Sequence, residues 1–117
     1  MFQTRITKMF NIEYPIVQGG MMFVGTSELA AAVSNAGGLG MIAASMTPSP
    51  EELRAEIRKL RTFTSKPFGV NVSYAPTYKP IDREAMLDVA VEEGATAIET
   101  VGPIAEPSAQ HIKRTKV

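Results

Sequence analysis

Pro15-Ile16-Val17-Gln18-Gly19-Gly20-Met21-Met22 is the stretch on which the fold of this chain turns. Pro15 to Gln18 is a short apolar run that ends on two glycines, which predicts a buried strand running into a glycine-rich loop. Glycine removes side-chain bulk, so the backbone there can approach a flat ligand closely. Methionine packs softly against an aromatic ring. The same letters also fit a tight turn followed by two core methionines, and residue types do not separate these readings.

Outward from this stretch the pattern repeats. Ser27 to Ala36 places Leu29, Ala32, Val33 and Ala36 at helical spacing, with Thr26 or Ser27 as cap and Gly37-Gly38 as stop. Leu39 to Ala44 is a second compact strand. Ser49, Pro50 and Glu52 have the spacing of a capping box. Leu53, Ile57 and Leu60 then form an apolar stripe, with Arg54, Arg58 and Arg61 on the wet side. Lys66-Pro67 ends that helix, and Phe68 to Ser73 is a third strand. A loop from Ala75 to Pro80 follows, and Asp82 opens a helix with Ile81 and Met86 placed as a hydrophobic staple. Gly94 closes that helix, Ala97 to Val101 is a fourth strand, and Gly102-Pro103 begins a loop. Ser108 to Lys116 is a weak helical stretch with a basic end, Lys113 to Lys116, suited to a helix C-terminus.

Strands starting near positions 15, 39, 68 and 97, with helices between them, predict βαβ units, a parallel sheet and right-handed crossovers. A barrel and an open doubly wound sheet share that pattern. At 117 residues the chain is long enough for one core, yet short of the roughly 250 residues of an α/β barrel. The pattern breaks off at Val117, where a further strand should begin, so the chain reads as the opening half of a larger enzyme.

Composition narrows the function classes. Twelve Lys/Arg balance twelve Asp/Glu, which favours neither nucleic acid nor an acidic membrane surface. The absence of cysteine excludes disulfides and thiolate metal sites, and one histidine cannot build a multi-histidine centre. No apolar run approaches the ~18 residues of a membrane span, and residues 1–14 lack a signal-peptide core. A soluble cytoplasmic protein is the expectation.

Alternation in the third strand sends Phe68, Val70 and Val72 to one face and Gly69, Asn71 and Ser73 to the other. Gly, Asn and Ser make an odd dry core. A buried Asn needs partners, and a heteroaromatic ligand would provide them, as would neighbouring backbone or water. Glu99, in the fourth strand, is a base, a hydrogen-bond acceptor or a paired structural charge. His111 reads as a solvated histidine among Gln110, Lys113 and Arg114. Gly38-Leu39-Gly40-Met41-Ile42-Ala43 has the letters of a dinucleotide fingerprint, but it follows a helix and opens a strand, the reverse of what phosphate binding needs.

Four segments together resemble the nitronate monooxygenase (2-nitropropane dioxygenase) family. They are Pro15 to Met21, Asn35-Ala36-Gly37-Gly38-Leu39-Gly40, Pro67-Phe68-Gly69-Val70-Asn71-Val72 and Glu99-Thr100-Val101-Gly102. Relatives built alike include NADH:quinone reductases and flavin-dependent enoyl-acyl-carrier-protein reductases. The loop Pro76-Thr77-Tyr78-Lys79-Pro80 leans toward the nitronate and quinone branch. The resemblance implies a (β/α)8 TIM barrel that binds FMN at the C-terminal face of its strands. On that basis residues 1–117 are an incomplete FMN-binding domain of about four βα units, truncated near the start of the fifth strand. Gly20, Met21 and Met22 would lie along the isoalloxazine ring, and Asn71 and Ser73 would bond its edge or adjoining chain. The family oxidises alkyl nitronates with O2 to carbonyl compounds and nitrite. Its catalytic histidine belongs to a later glycine-rich segment that His111 does not match, and its phosphate loops follow later strands. The expectation is therefore no catalytic residue within this chain, no turnover, poor FMN affinity and self-association through exposed strand edges.

Overall fold

The computed structural model describes residues 2–77, 80–104, 106–115 and 117. Tyr78 and Lys79 of the 76–80 loop and Lys116 of the basic end lie outside the described residues. In chain order the elements are α1 (Arg5–Phe10), α2 (Ser27–Asn35), β1 (Gly40–Ala43), α3 (Pro50–Phe63), β2 (Phe68–Ser73), α4 (Arg83–Glu92), β3 (Ala97–Val101) and α5 (Glu106–Thr115), with a 3-10 turn at Ala44–Met46. Among the described residues the strands form a parallel sheet in the order β1-β2-β3. Gly38 and Leu39 lead into a strand, so the Gly38–Ala43 fingerprint letters have no helix behind them.

The first expected strand shrinks to a single parallel bridge, Val17 to Leu39. Gln18 N–H donates to the Leu39 carbonyl at 2.9 Å, and Leu39 N–H to the Ile16 carbonyl at 2.9 Å. The Gln18 side chain supplies the next rung in place of backbone. Its Nε2 donates to the Met41 carbonyl at 3.0 Å, and its Oε1 accepts from Met41 N–H at 3.2 Å. The segment was expected to be buried, yet Ile16 is 62% and Val17 44% exposed. It forms the edge of the sheet, and nothing among the described residues covers its outer side.

The helix-facing side of the sheet carries the main core. Ile42, Phe68, Val70 and Val72 pack with Leu53, Ile57 and Leu60 of α3 and with Met86, Leu87 and Ala90 of α4. The opposite face carries a smaller cluster, Ile12, Leu39 and Met41. Burying each large aliphatic side chain in the main core stabilises the fold by about 1.5–3 kcal/mol.

The expected apolar face of α2 is corrected. Ser27, Ala30, Ala31 and Ser34 are its buried residues, while Leu29 and Val33 are only half-buried and Ala32 and Ala36 are exposed. The cause is distance. α2 lies so close on β1 that a Cβ at Gly40 would fall 1.9 Å from the Ala30 carbonyl oxygen, and only small residues fit that seam. Ser34 then ties the start of β1 to the residue before β2: its Oγ accepts from Gly40 N–H at 3.1 Å and donates to the Pro67 carbonyl at 2.7 Å.

α1 was not expected. Thr4 and Thr7 cap it reciprocally, with Thr7 N–H donating to Thr4 Oγ1 and Thr4 N–H to Thr7 Oγ1 at 3.2 and 2.9 Å. A threonine at the third position hides this box from a search for Glu or Gln there. At α3 one arm of the expected box is formed: Glu52 N–H donates to Ser49 Oγ at 3.2 Å. The α3 arginines are not simply solvated. Arg54 pairs with Glu92 and Glu93 at 2.5 and 2.6 Å, and Arg58 with Glu93 at 3.0 Å, all across to the end of α4. Arg61 lies 4.4 Å from the centre of the Phe68 ring and donates to the Lys66 carbonyl.

One surface pair gives a pH prediction. The Lys59 ammonium, Glu28's own backbone N–H and the Ser27 hydroxyl hold the Glu28 carboxyl down at about 2. The folded value lies below the ordinary 4.5. The pair's contribution is therefore fully present above the ordinary value and is lost as pH falls through about 2. An NMR titration of Glu28 is expected to show that low midpoint, and Lys59→Ala to move it back toward the usual carboxylate range.

Candidate functional site

Parallel strands bring their carboxyl ends to one rim, and in such folds that rim holds ligands. Ala43 of β1 sits beside Asn71 of β2, and Asn71 beside Glu99 of β3. The Gly19-Gly20 loop closes over this row. A Cβ at Gly20 would lie 2.2 Å from Asn71 Cγ, so only glycine lets the loop rest on the amide. Asn71 is 5% exposed.

Glu99 ties the pieces together. Its Oε2 accepts from Gly20 N–H at 2.8 Å and from Asn71 Nδ2 at 2.7 Å. An ionised carboxylate only accepts, so the nitrogen end of the Asn71 amide must face it and Oδ1 must point elsewhere. Among the described residues, no donor reaches Asn71 Oδ1. The Gly20 amide, expected as a group free to approach a ligand, is taken by Glu99; what Gly20 offers is its missing side chain.

Met21 and Met22 follow at once. The Met21 carbonyl accepts from Val24 N–H at 3.2 Å and Gly25 N–H at 2.7 Å, and Phe23 takes a left-handed φ of 63°. The loop is thus a tight turn. Its methionines are not core residues, being 39% and 57% exposed. Met22 and Ser73 line a small cavity of about 50 Å3 with Ala44, Ile81 and Met86, room for a few waters at most. Ser73 serves its own turn: its Oγ accepts from Ala75 N–H at 3.2 Å and its carbonyl from Arg83 Nε at 2.8 Å.

Gly20, Asn71 and Glu99 therefore meet directly, with Met21 next in the chain, while Met22 and Ser73 flank a neighbouring cavity. The readings left open for Glu99 resolve to an acceptor for two N–H groups. Its partnership with Asn71 follows from the strand register, in which Asn71, the fourth residue of β2, stands directly beside Glu99, the third of β3. His111 lies at the surface, as expected, and has in addition a partner that the sequence did not reveal. Its Nε2 lies 2.6 Å from Asp88 Oδ1, joining α5 to α4 in the helix layer. Among the described residues no group of three or more His, Asp or Glu could hold a metal ion, and no helix is long and apolar enough to cross a membrane.

Comparison with known proteins bears on the family and the fold. A nitronate monooxygenase from Pseudomonas aeruginosa is 52% identical over 68 residues, covering 58% of this chain and 19% of that protein. A (3aS,4S,5R,7aS)-5-hydroxy-7a-methyl-1-oxo-octahydro-1H-indene-4-carboxyl-CoA dehydrogenase from Mycobacterium tuberculosis is 47% identical over 70 residues, covering 60% and 19%. The solved structure of FabK from Thermotoga maritima superposes with a TM-score of 0.81 at 38% identity, covering 99% of this chain and 35% of that one. The chain thus spans about a fifth of the length of the curated relatives it matches. Its α/β units and parallel sheet are those of the opening part of a (β/α)8 barrel. The sequence profile of nitronate monooxygenase matches residues 3–115, nearly the whole chain, and on that match the chain belongs to the nitronate monooxygenase family, a family of flavin-dependent oxidoreductases.

Proposed function

We propose that this chain forms one wall of an FMN site in an oxidoreductase that converts alkyl nitronates with O2 to carbonyl compounds and nitrite. The observation that carries the reading is the bare Gly20 backbone laid against a clamped Asn71 amide at the carboxyl rim of parallel strands. A flat aromatic ring suits that rim. Gly20 lets the loop lie flat on Asn71, exposed Met21 and Met22 give polarizable contact, and Asn71 Oδ1 offers an acceptor to its edge. Ser73 would meet the adjoining chain. When bound, FMN would supply the electron transfer between substrate and oxygen. These residues would bind and orient it; the catalytic histidine is expected elsewhere in the full barrel. The cytoplasm is the proposed compartment, and self-association through the open β3 edge is the proposed fate of the chain by itself.

A second reading draws on the similarity to FabK and to the CoA dehydrogenase. It is a reductase or dehydrogenase of the same barrel that acts on an acyl thioester, or on NADH and a quinone. A half-barrel without activity is the third.

The test titrates FMN into the isotopically labelled chain. Amide shifts are expected to move at residues 20–22 and at Asn71 and Ser73, with weak affinity and no turnover. Shifts scattered over the helix layer, or none up to the solubility limit of FMN, would overturn the ring seat. Stoichiometric, tightly held flavin would overturn the weak affinity. In the full-length protein, O2 uptake with a nitronate against oxidation of NADH separates the first two readings.

A further inference from the structure

We propose that Glu99 is a positioning residue: one carboxylate oxygen locks the 19–24 loop to the sheet and fixes which atom of Asn71 a ligand meets. The inference deepens the ring-seat reading and rests on it for the identity of the ligand.

The loop is a tight turn within itself but has few hydrogen bonds to the rest of the molecule. Gln18 is tied to Leu39 on one side, and Gly25 accepts from Ala43 N–H at 3.0 Å on the other. Between them the loop's hydrogen bonds run to itself, from Val24 and Gly25 to Met21 and from Thr26 to Val24. Among the described residues its one backbone hydrogen bond to the rest of the molecule is Gly20 N–H to Glu99 Oε2. Gly19 adds no grip, since nothing lies within 4 Å of where its Cβ would be. Without Glu99, Met21 and Met22 would be carried on a span of backbone fixed only at its two ends.

The same oxygen sets the Asn71 amide. A free Asn can present either end to a ligand, but a carboxylate 2.7 Å from Nδ2 makes one orientation far better. The seat is therefore built to accept a hydrogen bond from a ligand N–H at Oδ1. Glu99 reaches both donors from β3, across 79 and 28 positions of sequence. No hydrophobic replacement can do this, and an aspartate is one carbon too short to bridge both.

The experiment compares hydrogen exchange and side-chain amide shifts in the labelled chain and in its Glu99→Asp, Glu99→Gln and Glu99→Ala variants. Exchange at Gly20 is expected to speed up roughly tenfold or more in the Asp and Ala variants, as for loss of a hydrogen bond to a charged group. Both Asn71 Nδ2 protons should shift, while amides of α3 and β2 away from the rim stay fixed. Glu99→Gln, which keeps the length and an acceptor oxygen, is expected to retain part of the protection. Should Ala unfold the chain, Asp carries the same test. Unchanged Gly20 exchange in a folded Asp variant would overturn the clamp. FMN titration of the same samples is the second arm. Equal FMN shifts with and without the clamp would overturn its positioning role. An intact clamp with no FMN response in the unsubstituted chain would leave the clamp standing and remove the ring seat.

Discussion

Gly40→Ala is expected to destabilise the chain by about 3–5 kcal/mol, a large part of what holds a small domain together. The new Cβ would sit 1.9 Å from the Ala30 carbonyl oxygen, 2.5 Å from its carbon and 2.8 Å from its Cα. All three are backbone atoms, so no rotamer change can relieve the overlap. Relief requires α2 to move off β1. That movement pulls Ser34 Oγ away from Gly40 N–H and the Pro67 carbonyl, leaving buried polar groups unpaired at about 1–3 kcal/mol each. Gly19→Ala is the control, because the space around it is empty and its backbone is ordinary; it is expected to change stability by less than about 0.5 kcal/mol. Urea midpoints of the two variants decide the matter. A Gly40→Ala loss below about 1 kcal/mol would mean that the tight α2–β1 seam does not limit this fold.

That seam also marks where sequence reading failed. Phe68–Ser73 and Ala97–Val101 were legible to the residue because each is a compact run between strong punctuation. Lys66-Pro67 precedes the first, and Gly94 and Gly102, at left-handed φ of 82° and 94°, flank the second. The face of α2 was not legible. Periodicity weighs bulk, so it chose Leu29 and Val33, while the contact with β1 is set by approach distance and selects Ser27, Ala30, Ala31 and Ser34. The first strand was over-read for a related reason: apolar letters in Pro15 to Gln18 do not say how many partners a strand has, and this one has a single bridge. At the site, Asn71 stood out because Gly, Asn and Ser are poor choices for a dry face. The role of Glu99 did not, since it depends on register between β2 and β3 and on a loop that returns from 79 positions away.

Asn71→Asp is expected to turn the rim into a pH-dependent liability. The change replaces Nδ2, 2.7 Å from Glu99 Oε2, with an oxygen. Two ionised carboxylates at that separation repel strongly, so the pair keeps one proton, as in carboxyl dyads that share one. The shared proton gives the folded pair an apparent pKa above the ordinary carboxylate range. The folded state then binds more protons than the unfolded chain between the two values, and stability falls as pH rises through that window. Near pH 4, where a proton is available, the variant should lie close to the unsubstituted protein, with an O–H···O hydrogen bond in place of N–H···O. At pH 8 the gap should widen to about 2–3 kcal/mol, less than for a fully buried unpaired charge because Glu99 is only half-buried. Asn71→Ala provides the reference: it removes the amide without adding charge, and the gap of interest is that of Asn71→Asp beyond Asn71→Ala at each pH. Urea midpoints at the two pH values measure the difference. A gap for Asn71→Asp that stays the same from pH 4 to 8 would show that Glu99 turns away from residue 71 once the amide is gone. The shared oxygen would then no longer hold β2, β3 and the glycine loop as one unit.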